Sequence, residues 1–281
     1  MTEPLRLNHL YRVVDRETFA AARDSAWLRE HFAPSELRTT TRPDWTYTGL
    51  YFYGASTYLE VFEEGAQGPV GNSGLAFGVE TPAATAGIAA VWRVALGDAE
   101  ARLVVRPPAT GDAGAADGPV DGPASAPWFH IAHAVPDRRE QLHLWSMEYH
   151  ADFLAAWHGE ITEARGITRD EVLTRYARVV GGPADPMLSD VTAVTLALSP
   201  AERSFLTRHL DAFAHRVRDV GGDVTYVEGD AVTFGVAPAT ESRRGVQDIV
   251  CRLRRDGGRD TVTVGRITIE VDGHRAVWKF R

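Results

Sequence analysis

The chain reads as an α+β protein assembled from repeated units, each a strand, a helix and further strands. Three observations predict this. Short aromatic and β-branched runs alternate with helix-length stretches whose apolar residues recur at helical spacing. The order strand, helix, strands begins near residues 7, 74 and 191, a repeat of arrangement more than of letters. Two of the early strands each carry one polar, metal-competent side chain, His9 and Glu60, inside an otherwise apolar run.

The first strand is Leu7–Asp15. Asp15 is placed to cap a helix expected from Arg16 to about Phe32, with Phe19, Ala22, Ala26 and Leu28 on its buried side and Pro34 ending it. Tyr47–Tyr53 and Tyr58–Phe62 follow as strands joined by a turn at Gly54-Ala55-Ser56. The second unit opens with the strand Gly74–Glu80. A helix beginning at Pro82 runs through Ile88, Val91 and Trp92. Strands are expected at Arg102–Arg106, Trp128–Val135 and Leu142–His150. Pro107–Pro127, rich in Ala, Gly, Asp and Pro, reads as a surface loop and candidate lid. Residues 151–188 read as mainly helical, with Phe153–Trp157 and then a helix capped by Thr168 and Glu171. Gly181-Gly182-Pro183 and Asp185-Pro186 mark a linker. The third unit opens at Val191–Leu198. Ser199 caps a helix from Pro200 to about Val220, and strands follow at Val224–Val227, Ala231–Val236, Val246–Leu253, Val262–Val271 and Arg275–Phe280.

Composition narrows the function classes. The 281 residues suffice for one large or two ordinary domains. The net charge is −8 with no long basic run, which argues against nucleic-acid and anionic-membrane surfaces. Cys251 is the single cysteine, so neither an internal disulfide nor a cysteine metal cluster is expected. No apolar run approaches bilayer length and the N-terminus shows no signal-peptide pattern, so a cytoplasmic location is expected. Gly71-Asn72-Ser73-Gly74 lacks the Lys-Ser/Thr of a phosphate loop, and no Gly-x-Ser-x-Gly elbow occurs. Asp223–Asp230 does not match a calcium loop.

An ionised carboxylate in an apolar strand is costly unless it is paired or metal-bound. Glu60 is therefore either a ligand or half of an ion pair with an arginine, such as Arg12. On a strand, residues two apart share a face. Glu148 thus shares a face with Ser146 and His150, and His143 takes the other. Of His130 and His133 at most one faces a given side. Tyr47, Tyr51, Tyr53 and Tyr58, with Trp45 and Trp145, are either a pocket lining or plain core. His158, His209, His215 and His274 are expected at the surface.

The strands Leu7–Asp15, Thr57–Phe62 and Leu144–Tyr149, in that order, resemble the glyoxalase-like vicinal oxygen chelate superfamily, over roughly residues 5 to 150. The resemblance implies paired βαβββ modules curled into a cup around a metal. It implies a third, degenerate module set at residues 190 to 281. Carried over residue by residue, it makes His9, Glu60 and Glu148 metal ligands. It leaves the fourth position near Gly71–Leu75, where Asn72 offers an amide oxygen. His150 becomes the extra ligand or acid/base group, with Glu148 also catalytic, and Tyr51, Tyr53, Trp145 and Asn72 the substrate pocket. A divalent ion (Fe, Mn, Zn or Ni) would suit such a set.

The expected organisation is residues 1–160 as a metal-bearing cup, 161–188 as a helical linker and 189–281 as a metal-free C-terminal domain. That last domain is expected to stabilise the first or to supply a homodimer surface. Glu270 stands near the position analogous to Glu60. The expected function is metal-dependent lyase/isomerase or dioxygenase chemistry on a small oxygenated molecule. The rival is a metal-free binder that sequesters an antibiotic-like compound in an aromatic cup, as some relatives in that superfamily do.

Overall fold

Two eight-stranded mixed sheets carry the chain in the computed structural model, which describes residues 5–42, 45–106, 126–134, 142–153, 167–213, 215–219, 224–229 and 231–281. The first sheet is built from two modules. One comprises β1 (Arg6–Val14), α1 (Arg16–Asp24), β2 (Ser35–Arg42), β3 (Trp45–Tyr53) and β4 (Tyr58–Glu63). The other comprises β5 (Ser73–Gly78), α2 (Thr85–Leu96), β6 (Ala99–Arg106), β7 (Ala126–Ala134) and β8 (Leu142–Tyr149). Their strand order is β2-β3-β4-β1-β5-β8-β7-β6. β1 and β5 pair antiparallel at the centre, and each pairs parallel with the last strand of its own module.

After α3 (Arg169–Val180) the pattern repeats. The second sheet uses β9 (Leu188–Leu198), α4 (Pro200–Asp211), β10 (Arg216–Asp219), β11 (Thr225–Glu228) and β12 (Thr233–Pro238), then β13 (Gly245–Leu253), β14 (Arg259–Val264), β15 (Ile267–Asp272) and β16 (Arg275–Phe280). Its order, β10-β11-β12-β9-β13-β16-β15-β14, is the same as that of the first sheet. The architecture is therefore the expected α+β arrangement of paired βαβββ modules. The C-terminal part is the expected degenerate module set: it repeats the strand order, but a short turn stands in place of the helix between β13 and β14, and the expected strand Val262–Val271 is two strands, β14 and β15.

The caps follow from the sequence. Asp15 accepts from the Thr18 N–H at 2.9 Å, while Thr168/Glu171 and Ser199/Glu202 form capping boxes. Three expectations shift. The first helix stops at Asp24, and Leu28–Phe32 form one wide π-type turn that seats Leu28 and Phe32 in the core. α4 ends at Asp211, short of the expected Val220. β2 was invisible because its sequence, SELRTTTR, is polar: as an edge strand it places Glu36, Arg38 and Thr40 on one face and Leu37 and Thr39 on the other. The expected lid falls mostly on residues 107–125, and Phe153–Trp157 mostly on 154–166, both outside the described residues.

One apolar cluster runs through both sheets. Trp278 of β16 packs against Phe32 and Phe52, with ring centroids 5.2 and 5.5 Å away. Polar links reinforce it: the Val246 N–H donates to Ser73 Oγ at 2.9 Å and the Val191 N–H to Thr57 Oγ1 at 2.7 Å. Arg12 does not pair with Glu60. Its guanidinium donates to the Arg244 carbonyl at 2.8 Å and also to that of Val246, so it ties the two sheets together. His209 and His215 are buried, not at the surface: His209 lies on the α2–α4 contact against Trp92, 4.6 Å between ring centroids. Among the described residues no helix is long and apolar enough to cross a membrane.

Candidate functional site

The second cluster of buried residues lies on the other, concave face of the first sheet and is dominated by aromatic rings. Strand alternation puts it there. β1 turns His9, Tyr11 and Val13 to this face, β4 turns Tyr58, Glu60 and Phe62, and β3 turns Tyr47, Tyr51 and Tyr53. β8 contributes His143, Trp145, Met147 and Tyr149, and β7 contributes Phe129, Ile131 and His133. Tyr176 closes one side from α3, stacked on Tyr53 at 5.3 Å. The cup holds about 340 Å³, within the range of small-molecule pockets.

Small residues open the floor. Across β4, β1, β5 and β8 one row reads Tyr58, His9, Ala76, Trp145; the next reads Glu60, Tyr11, Gly74, His143. Tyr58 stacks on His9 at 4.3 Å and Trp145 meets it edge-on at 5.3 Å. At Gly74 the rings of Tyr11 and Trp145 come so close that a Cβ would stand 2.6 Å from Trp145 Cζ3. Tyr11 Oη lies 2.9 Å from His143 Nδ1.

His9 and Glu60 meet on this floor, with Nε2 3.7 Å from Oε1 and both side chains buried. His9 Nδ1 is bonded to Asn8 Oδ1 at 2.8 Å. That bond makes Nδ1 the donor and turns the Nε2 lone pair toward Glu60. Burial, reinforced by the Arg38 charge, pushes the His9 pKa down to about 3, so the ring is neutral at pH 7. Burial also raises the phenols of Tyr11, Tyr51, Tyr53, Tyr58 and Tyr149 above their usual range, which keeps them neutral donors.

β2 adds two more charged groups. The Arg38 guanidinium stands over the Tyr51 ring at 3.9 Å and donates through Nη1 to Glu36 Oε1 at 3.1 Å. The Tyr53 hydroxyl donates to the same Glu36 oxygen. Burial works against the Arg38 charge, but Tyr53, Tyr51, Tyr176 and Glu36 outweigh it and hold the pKa well above its usual value. Sequence reasoning missed Arg38 with its strand; the alternation of Glu36, Arg38 and Thr40 was the available signal.

The structure does not bring Glu148 to His9 and Glu60. Glu148 faces the opposite side of β8 and accepts from the N–H of Ala83 at 2.6 Å, the N–H of Thr85 at 3.1 Å and the Thr85 hydroxyl at 2.6 Å. The reason is local. α2 has Ala84 as its N-cap and no side-chain cap of its own, so a carboxylate from β8 satisfies its exposed donors. Strand parity does separate Glu148 from His143, and the cup takes the His143 face. His150 lies outside the cup, its Nδ1 accepting from the Asp152 N–H at 3.2 Å and its ring 5.5 Å from that of His130. Asn72 sits in the turn before β5, donating to the Gln67 carbonyl at 3.0 Å. Tyr51, Tyr53 and Trp145 do line the cup, and His133 is the member of its pair that faces it. In the second sheet Glu270 is paired with Lys279. Among the described residues no group of three or more His, Cys, Asp or Glu side chains is close enough to hold a metal. Among the described residues His9 and Glu60 give two donors, one fewer than the three-residue set of a catalytic zinc site.

A curled mixed sheet of paired βαβββ modules, with an aromatic cup on its concave face, defines the fold. The solved structures it resembles include a hypothetical protein from Staphylococcus aureus (8% identity, TM-score 0.56, covering 96% of this chain and 98% of that one). They also include the Mn(II)-bound glyoxalase from Novosphingobium aromaticivorans (10%, TM-score 0.43, 98% and 82%) and a catechol 2,3-dioxygenase (8%, TM-score 0.43, 98% and 87%). At 8% identity the likeness to the staphylococcal protein is one of fold. Among curated proteins none matches the chain. The chain belongs to DUF5829, a family of unknown function, whose model matches residues 7–280.

Proposed function

We propose that the protein binds a small, flat, oxygen-bearing aromatic molecule in the cup of its first sheet. The observation that carries this reading is the lining: neutral tyrosines and Trp145 surround about 340 Å³ of space, with a few polar groups placed among them. Ring faces stack a planar ligand, and the Nε2 lone pair of neutral His9 offers an acceptor for its hydroxyl or N–H.

Titration calorimetry with naphthols and similar two-ring phenols tests it. Micromolar binding that weakens about tenfold or more in Trp145→Ala and Tyr51→Ala is expected, from the loss of about 1.4 kcal/mol or more of ring contact. Absence of binding by the intact, folded protein would refute it.

The convergence of Nε2 and Oε1 favours a second reading, in which a divalent ion held by His9, Glu60 and the ligand's own oxygens supports lyase/isomerase or dioxygenase chemistry. Elemental analysis separates the two. A stoichiometric transition metal that disappears in His9→Gln and Glu60→Gln supports the second reading, whereas metal-free protein with full ligand affinity supports the first.

A further inference from the structure

We infer that Asn8, which does not line the cup, sets what the cup accepts: it fixes the ring proton of His9 on Nδ1 and so leaves an acceptor on the floor that selects ligands bearing a hydroxyl or N–H there. This rests on the small-molecule reading of the cup and names the group by which the ligand is recognised. The first observation is a bulge. β1 pairs with β5 through Leu7↔Phe77 and His9↔Ala76, so β1 uses two residues where β5 uses one, and Asn8 is the extra residue. The faces show the same break. Leu7 and Leu10, three apart, both join the apolar cluster on the far side of the sheet, while His9 turns into the cup. In a regular strand neighbouring side chains point to opposite faces. The bulge instead brings Asn8 Oδ1 to 2.8 Å from Nδ1 of the adjacent His9. Asn8 Nδ2 is buried without a partner, so the bond to His9 is the one that its side chain makes.

The far side of the ring carries the consequence. A neutral imidazole has one ring proton, and with that proton on Nδ1 the Nε2 atom is an acceptor. Both residues are buried, so bulk water does not compete for the Asn8 bond. The Tyr58 ring, stacked at 4.3 Å, and the Trp145 ring, edge-on at 5.3 Å, hold the imidazole plane. Glu60 Oε1 stands 3.7 Å from Nε2, beyond hydrogen-bond length. Among the described residues no side chain donates to Nε2, and His9 lines the cavity. A ligand hydroxyl or N–H completes that acceptor. An ether or carbonyl oxygen would set lone pair against lone pair and leave Nε2 desolvated and unpaired. The ligand class is thus a phenol or aryl amine. Turning the Asn8 amide over would reverse the floor: Nδ2 would donate to Nδ1, the ring proton would move to Nε2, and the cup would present a donor. Asn8 is therefore a positioning residue that acts through His9.

Two measurements on the full chain test it. Two-bond proton–nitrogen NMR of protein labelled with 15N-histidine reads which ring nitrogen carries the proton, with the His9 signals identified by their loss in His9→Gln. Nδ1–H is expected in the wild-type chain, a result that needs no further variant. Titration calorimetry then compares 2-naphthol with 2-fluoronaphthalene and 2-methoxynaphthalene, which have its shape but no donor. Naphthol should bind about fivefold or more tightly than either. In Asn8→Leu the tautomer should shift and the preference should shrink to about twofold or less. Asn8→Asp, which keeps an acceptor oxygen at the same place, should retain both. Nε2–H in the wild-type chain overturns the inference. So does equal binding of naphthol and fluoronaphthalene, which leaves the cup reading intact. An unchanged tautomer and preference in folded Asn8→Leu overturns the role of Asn8. Failure of all three probes to bind overturns the cup reading and this inference with it.

Discussion

Replacing Glu148 by alanine is expected to destabilise the fold without emptying the cup. The carboxylate accepts three hydrogen bonds at the head of α2, from the N–H groups of Ala83 and Thr85 and from the Thr85 hydroxyl, at 2.6 to 3.1 Å. α2 has no side-chain cap of its own, and Ala83 holds a left-handed backbone with φ of 61°. Alanine at 148 leaves the buried Thr85 N–H without an acceptor and removes the negative charge at the helix N-terminus. A stranded buried donor costs about 1–3 kcal/mol and a lost cap about 1 kcal/mol, so the total is about 2–4 kcal/mol. Glu148→Gln keeps one acceptor oxygen and should lose about half as much. The assay is urea unfolding followed by far-UV circular dichroism, with ligand affinity and metal content measured on the folded variants. A lowered urea midpoint with unchanged affinity and unchanged metal content is expected. An unshifted midpoint together with lost metal would refute the capping role and return Glu148 to the ligand set.

Stability should fall on mild acidification. Burial brings the pKa of His209 down to about 3, with Arg208 adding to the effect and the Phe205 carbonyl opposing it, and His9 stands at about 3 as well. Both rings are neutral in the fold, whereas an unfolded histidine takes up a proton near pH 6.5, so stability is full above about pH 7 and is lost as pH falls from 6.5 toward 3. At pH 5 each ring costs about 2 kcal/mol, and His209→Gln should flatten the decline of the thermal midpoint between pH 7 and 5. Gly74→Ala should weaken ligand binding and cost about 1–3 kcal/mol, because its Cβ would drive into Tyr11 and Trp145. A variant with normal affinity in calorimetry would contradict that account of the floor. Tyr53→Phe removes the hydroxyl that helps tether Glu36, and should lower the affinity of the cup for naphthols in titration calorimetry.

Much of the fold was legible because its signals are local. Apolar and aromatic runs marked β1, β3, β4 and β5, and Asp15, Thr168 and Ser199 marked helix starts, since a cap needs only a side chain three residues from its donor. Edge strands β2 and β10 were not legible, because a strand paired on one side carries polar residues on both faces. The pairing of His9 with Glu60 was readable as two unusual polar positions in apolar strands, and β1–β4 pairing brings them to one floor.

What the sequence could not decide was the sense of β8. Alternation splits Glu148 from His143 but does not say which set faces inward, since that depends on how the sheet curls and on what each face meets. The tertiary structure resolved it through an unmet need elsewhere: the uncapped head of α2 drew the carboxylate outward, and His143 and Trp145 were left to the cup. Arg38 belongs to the same class of fact. Its charge is kept in an aromatic hollow only because Glu36, Tyr51 and Tyr53, from two paired strands, reach it in space.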